Sequence, residues 1–109
     1  MNTITAPRWQ AKRTAESKMV EDRLREAGFA TVDAYRHNSA SLRIRIIDDR
    51  FRALPPEDRD KLVEPTLDQL PPDTQSDVIN LLLMHPGEEK DSFRVSLFNS
   101  EFENGESGL

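Results

Sequence analysis

At 109 residues the chain has room for one domain, and with no cysteine it excludes disulfides and thiolate metal sites. Its net charge of −5 argues against a dedicated nucleic-acid binder. The charge is nevertheless uneven: residues 1–52 hold eleven Lys/Arg against seven Asp/Glu, and residues 53–109 hold four against thirteen. Such asymmetry marks either a partner for the basic half or complementary surfaces within one fold.

The opening, residues 1–13, reads as a flexible basic arm with Arg8, Trp9, Lys12 and Arg13. Trp9 either stacks on a base or a partner surface, or folds back onto the domain. The start lacks the basic head and apolar body of a signal peptide, and no apolar run approaches the roughly 18 residues of a membrane span. A cysteine-free chain of this kind is expected in the cytoplasm, without a membrane partner.

From 14 to 27 the pattern is helical. Ala15, Met19, Val20, Leu24 and Ala27 share one side, Thr14 is placed to cap the start, and Gly28 sits where a C′ glycine belongs. Two strands follow. Val32 and Ala34 alternate with Asp33 and Tyr35. After the turn His37-Asn38-Ser39, Leu42, Ile44 and Ile46 alternate with Arg43, Arg45 and Ile47. The short spacing predicts an antiparallel hairpin.

A second helix is predicted from about 56 to 70, opened by Pro56 with Glu57 and Asp58 at its positive end. Leu62, Val63, Leu67 and Leu70 would form its buried stripe, Pro71-Pro72 would end it, and Pro65 predicts a kink or break near residues 61–64. Val78 to Met84 is nearly all apolar and reads as a central, buried strand. Phe93, Val95 and Leu97 alternate, which suggests a fourth strand. The domain then spans 14–98, and 99–109 is an acidic tail that docks through Phe102.

Few residues suggest chemistry. His37 and His85 lack any metal-ligand spacing, and no triad, dyad or phosphate loop is evident, so no catalytic residue, metal or cofactor is expected. Asp48-Asp49, Asp58/Asp60 and Glu88-Glu89 read as solvated charge at turns and a helix start. The Gly105-Glu106-Ser107-Gly108 spacing is discounted, because Glu106 would repel a phosphate backbone. The arginine ladder has more content. If the helices cover Leu42, Ile44 and Ile46, then Arg43 and Arg45 lie on the opposite, open face beside Asp33 and Tyr35. Tyr35, Arg36, Arg43 and Arg45 are the candidate binding residues, with a solvated face paired through Asp33 as the alternative.

Residues 42–63, an alternating strand running into Phe51, a short loop and a helix with Arg59, Leu62 and Val63 in register, resemble the BolA-like family. The apolar third strand followed by Pro86 and Glu88-Glu89 is similar to the end of that family, and the likeness covers about 17–90. The resemblance implies a KH-class α+β fold. It does not carry iron–sulfur ligation over, because Asp60 and Asp77 stand where the family has histidines. Ala53 and Pro55 replace a glycine and a capping Ser/Thr, and the long loop between the first strands is a tight turn.

The expected fold is therefore α+β in α-β-β-α-β order, a mixed sheet of three or four strands with two helices on one face. The expected function is a non-enzymatic binding or regulatory module acting through protein partners, compatible with a homodimer. Nucleic-acid binding through the basic face is the alternative.

Overall fold

A computed structural model describes residues 8–104. The start of the basic arm and the last residues of the acidic tail, including the GxxG spacing, lie outside the described residues. The chain runs through a 3-10 turn at Arg8–Lys12, helix α1 at Ala15–Glu26, strands β1 at Thr31–Asn38 and β2 at Ser41–Ile47, and a 3-10 turn at Asp49–Ala53. Helices α2 at Pro56–Leu67 and α3 at Pro72–Asp77 follow, then strand β3 at Val78–Met84, a 3-10 turn at Glu88–Lys90, and helix α4 at Phe93–Asn104. This is an α+β fold with a three-stranded mixed sheet in the order β1-β2-β3.

Local chemistry explains the first helix. Thr14 Oγ1 accepts from the Ser17 N–H while Ser17 Oγ accepts from the Thr14 N–H, a reciprocal cap that satisfies two otherwise orphaned donors. Gly28, just past the helix, has φ of 104°, a conformation that favours glycine.

β1 and β2 pair antiparallel, with Asp33 opposite Arg45 and Tyr35 opposite Arg43. β2 and β3 pair in parallel, and the register slips at Ile79, which has no partner on β2. β2 is thus the central strand. β3, expected at the centre, is an edge. An apolar run reports that both faces of a strand are covered, and says nothing of its lateral neighbours. Here α2 and α4 flank β3 from either side, and only its C-terminal end, Leu83 and Met84, is buried.

Val20, Leu24, Phe29, Val32, Ala34, Ile44, Ile46, Phe51, Val63, Leu70 and Leu83 form one core between the sheet and helices α1 and α2. Leu42, Ile44 and Ile46 are fully buried, as the alternation predicts. The predicted stripe is partly corrected: Val63 is buried, Leu67 half-buried and Leu62 exposed, Leu70 is buried but lies past the end of α2, and Arg59 is buried in addition. The helix runs through Pro65 without a break: the proline forfeits its own N–H bond, but the turn that follows still closes, with the Asp68 N–H donating to the Glu64 carbonyl.

Two further expectations change. Residues from Phe93 onward form helix α4 rather than a fourth strand, and the helix continues through the start of the expected tail. Three alternating residues are too short a sample; Val95 and Phe102, both buried, are seven apart, which is two helical turns. The arm is not wholly loose either. Trp9 is buried and packs on Tyr35 and Phe102, with ring centroids 5.9 and 5.2 Å away. This second aromatic cluster lies on the other face of the sheet from the aliphatic core.

Candidate functional site

The cluster settles where the arginine ladder lies. Arg43 and Arg45 do occupy the face opposite Ile44, but that face is not open: both are 7% exposed, and Tyr35 is fully buried. The cover is α4. Arg45 donates to Asp33 Oδ2 at 2.7 Å and to Asn99 Oδ1 at 2.8 Å, and it pairs with Glu103. Its guanidinium also sits 4.7 Å from the Phe102 ring, a favourable cation–π contact. Burial opposes the charge on Arg45, but the bonds to Glu103 and Asp33 outweigh it and raise its pKa. A buried charge is tolerable only when paired in this way. Arg43 donates to the Tyr35 hydroxyl at 3.0 Å, and burial pushes the Tyr35 phenol up.

Arg36 lies elsewhere. It faces α1 and α3, where it bonds Glu16 and Asp77, and the Asp77 bond raises its pKa. The structure therefore gathers Tyr35, Arg43 and Arg45 beneath α4 and separates Arg36 from them. Among the described residues, Arg43 and Arg45 do not form an open basic face.

A concave surface does exist at the opposite edge of the sheet. A cleft of about 520 Å³ straddles β3. Its floor is Ile79 to Leu83. One bank is the first turn of α2, with Pro56, Glu57, Arg59 and Asp60; the other is α4, with Arg94, Val95, Phe98, Glu101 and Phe102. Arg43 reaches the same cleft, and it is the one predicted site residue that does. Ile79 is 62% exposed and Phe98 43%, so two large apolar side chains stand open to solvent along one groove.

One end of the cleft is fixed by a buried ion pair. Arg59 Nη1 donates to Glu88 Oε1 at 2.7 Å and to the Leu83 carbonyl at 3.0 Å, while its Nε donates to Leu54 O. Glu88 Oε1 also accepts the His85 N–H at 3.1 Å. Burial opposes ionisation of Glu88, but the bonds from Arg59 and His85 prevail and hold its carboxyl below the usual range. A carboxylate so committed is an anchor and a poor proton acceptor. The acidic pairs expected as solvated charge thus divide. Asp49 and Asp60 are exposed, whereas Glu88 and Asp48 are buried. Asp48 caps the turn after β2, accepting from the Ala30 N–H and from Arg50, whose side chain lowers its pKa.

Among the described residues no three His, Asp or Glu side chains converge to hold a metal ion, and no helix is long and apolar enough to cross a membrane. The sequence reading did not find this cleft. Its signal was the mismatch between the solvent-exposed Ile79 and the apolar run around it, which only the sheet order reveals. In comparisons with known proteins no family model matches the chain, and no curated protein and no solved structure matches it.

Proposed function

We propose that this chain is a non-enzymatic binding module that docks a protein partner in the cleft along β3. The observation that supports the reading is the exposure of Ile79 and Phe98 beside a strand edge with no neighbouring strand among the described residues. Clustered apolar exposure with a polar rim is the usual mark of an interaction surface, and an open edge adds unpaired backbone groups to it. The α-β-β-α-β order around a mixed sheet supports a BolA-like affinity for the scaffold, without the family's cluster ligands.

The test is affinity capture from a native lysate with the wild-type chain and an Ile79→Glu, Phe98→Asp double variant. Both positions are solvent-exposed, so the variant is expected to fold with little change in stability. Loss of the captured proteins at equal folding supports the groove. Equal capture by the variant overturns it, and capture that disappears on nuclease treatment with a steep salt dependence assigns the chain to nucleic acid.

A further inference from the structure

The two outer edges of the sheet differ in a way that identifies the occupant of the cleft. On β1, the Ala34 N–H is taken by Glu21 Oε2 at 2.8 Å and the Val32 carbonyl by Arg25 at 2.8 Å. Side chains of α1 therefore occupy that edge. On β3, the Met84 carbonyl accepts from Asp48 N–H on the β2 side, and the Leu83 carbonyl accepts from Arg59 on the far side. Backbone groups alternate in direction along a strand, so Leu81, two residues before Leu83, also presents its N–H and C=O to the far side. Among the described residues no strand lies there, and the cleft does.

The banks are chemically unequal. The α2 bank carries Glu57 and Asp60, both exposed, while its Arg59 is committed to Glu88. The α4 bank carries Val95, Phe98 and Phe102, with one cation and one acid, Arg94 and Glu101, beside them. Side chains of an added strand would alternate between these banks. We propose that the β3 edge accepts an extended segment of a partner protein as an additional strand, with Lys or Arg directed at Glu57 and Asp60 and apolar residues directed at Phe98. This deepens the docking reading and rests on it.

Charge complementarity favours this occupant over the others. The chain's own β3, Val78 to Met84, contains no cation and is preceded by Asp77, so a second copy pairing edge to edge would offer nothing to the acidic bank. A nucleic-acid strand would meet Arg43 and Arg94 but would also place phosphates against Glu57, Asp60 and Glu101, so the lining gives it no net attraction. Strand addition obtains affinity from main-chain bonds and selectivity from alternate side chains, which is the division the cleft offers.

The experiment uses the full chain and an acetylated, amidated Lys-Val-Lys-Val-Lys-Val-Lys peptide. Anisotropy gives affinity, and amide exchange reads the Leu81 N–H. Saturable binding is expected, with exchange at Leu81 slowed by about tenfold or more. Two control peptides, one N-methylated at alternate residues and one with Glu for Lys, are expected to bind about tenfold more weakly or worse. A Glu57→Lys, Asp60→Lys variant should reverse the preference between Lys and Glu peptides. Binding indifferent to N-methylation, absence of binding, or a dimer of the chain alone that protects Leu81 would each overturn the inference. If the peptide fails while the Ile79→Glu, Phe98→Asp variant still loses its captured proteins, strand addition falls and the docking reading stands. If capture is also unaffected, both fall.

Discussion

Among the described residues β1 and β3 each have one side without a strand neighbour, yet the first is closed by a helix and the second is met by an arginine at one end. α1 lies along β1 and inserts Glu21, which is fully buried, and Arg25 into the positions a further strand would fill. At β3 a comparable side-chain bond comes from Arg59, at one end, and the middle of the strand faces a cleft. The difference shows how a small sheet avoids pairing with itself on one side while keeping the other available. Sealing an edge takes an acceptor and a donor at the right spacing on a flanking helix, and α1 supplies both four residues apart, one helical turn.

Removing the seal should have the largest effect. Glu21→Ala strands the buried Ala34 N–H and removes the partner of Arg13, and it should lower stability by about 3 kcal/mol. Urea unfolding measures this; a loss within error of zero would mean that the edge needs no seal. Glu88→Gln weakens the anchor at the β3 end, with an expected cost of about 2 kcal/mol, a charge-assisted bond's worth. This cost is pH-dependent, and the sign follows from the lowered carboxyl. The contribution is complete above the ordinary glutamate value of 4.5 and is lost as pH falls through the lower folded value. The gap between wild type and variant should therefore close on acidification, and a constant gap would show that the charge is irrelevant.

Arg25→Ala frees one carbonyl at the rim of β1 and should cost about 1 kcal/mol in the same unfolding assay. The smallest effect belongs to the open edge. Ile79→Glu should change stability by no more than about 0.5 kcal/mol, because the side chain is already in water. A large loss there would show that Ile79 is a packing residue and that the contrast between the edges is false.

Much of the scaffold is legible in the chain. Alternation at Leu42 to Ile46 places both faces of β2 correctly, and the cap at Thr14 and the glycine at position 28 bound α1 as expected. What alternation cannot convey is what covers a face. Arg43 and Arg45 look solvent-facing because the acids that neutralise such a pair need not be near in sequence. Asp33 is a cross-strand neighbour and can be found from the hairpin, but Glu103 arrives from the far end of the chain. The position of β3 fails for a related reason: hydropathy records the helices above and below a strand, whereas lateral order depends on which connection crosses over. Helix α3 is hidden by Pro71-Pro72, read as a stop when Pro72 in fact opens the next helix. The cleft is a product of these misses, formed where an edge strand meets a helix that the alternation of Phe93, Val95 and Leu97 disguises as a strand.

The cluster of Trp9, Tyr35 and Phe102 has a consequence for how the molecule is made. Its three rings come from near the start, the first hairpin and near the end of the described chain, so the cluster cannot close until α4 has been synthesised. Contacts of such long sequence separation form slowly, because the intervening chain must be ordered first. The aliphatic layer needs nothing beyond Leu83, and it is free to assemble earlier during N-to-C synthesis. In such an interval Arg43 and Arg45 would lie uncovered on the sheet. A state in which the sheet has formed and α4 has not docked would present the basic face that the folded protein conceals, and the arrival of Glu103 and Phe102 would end it.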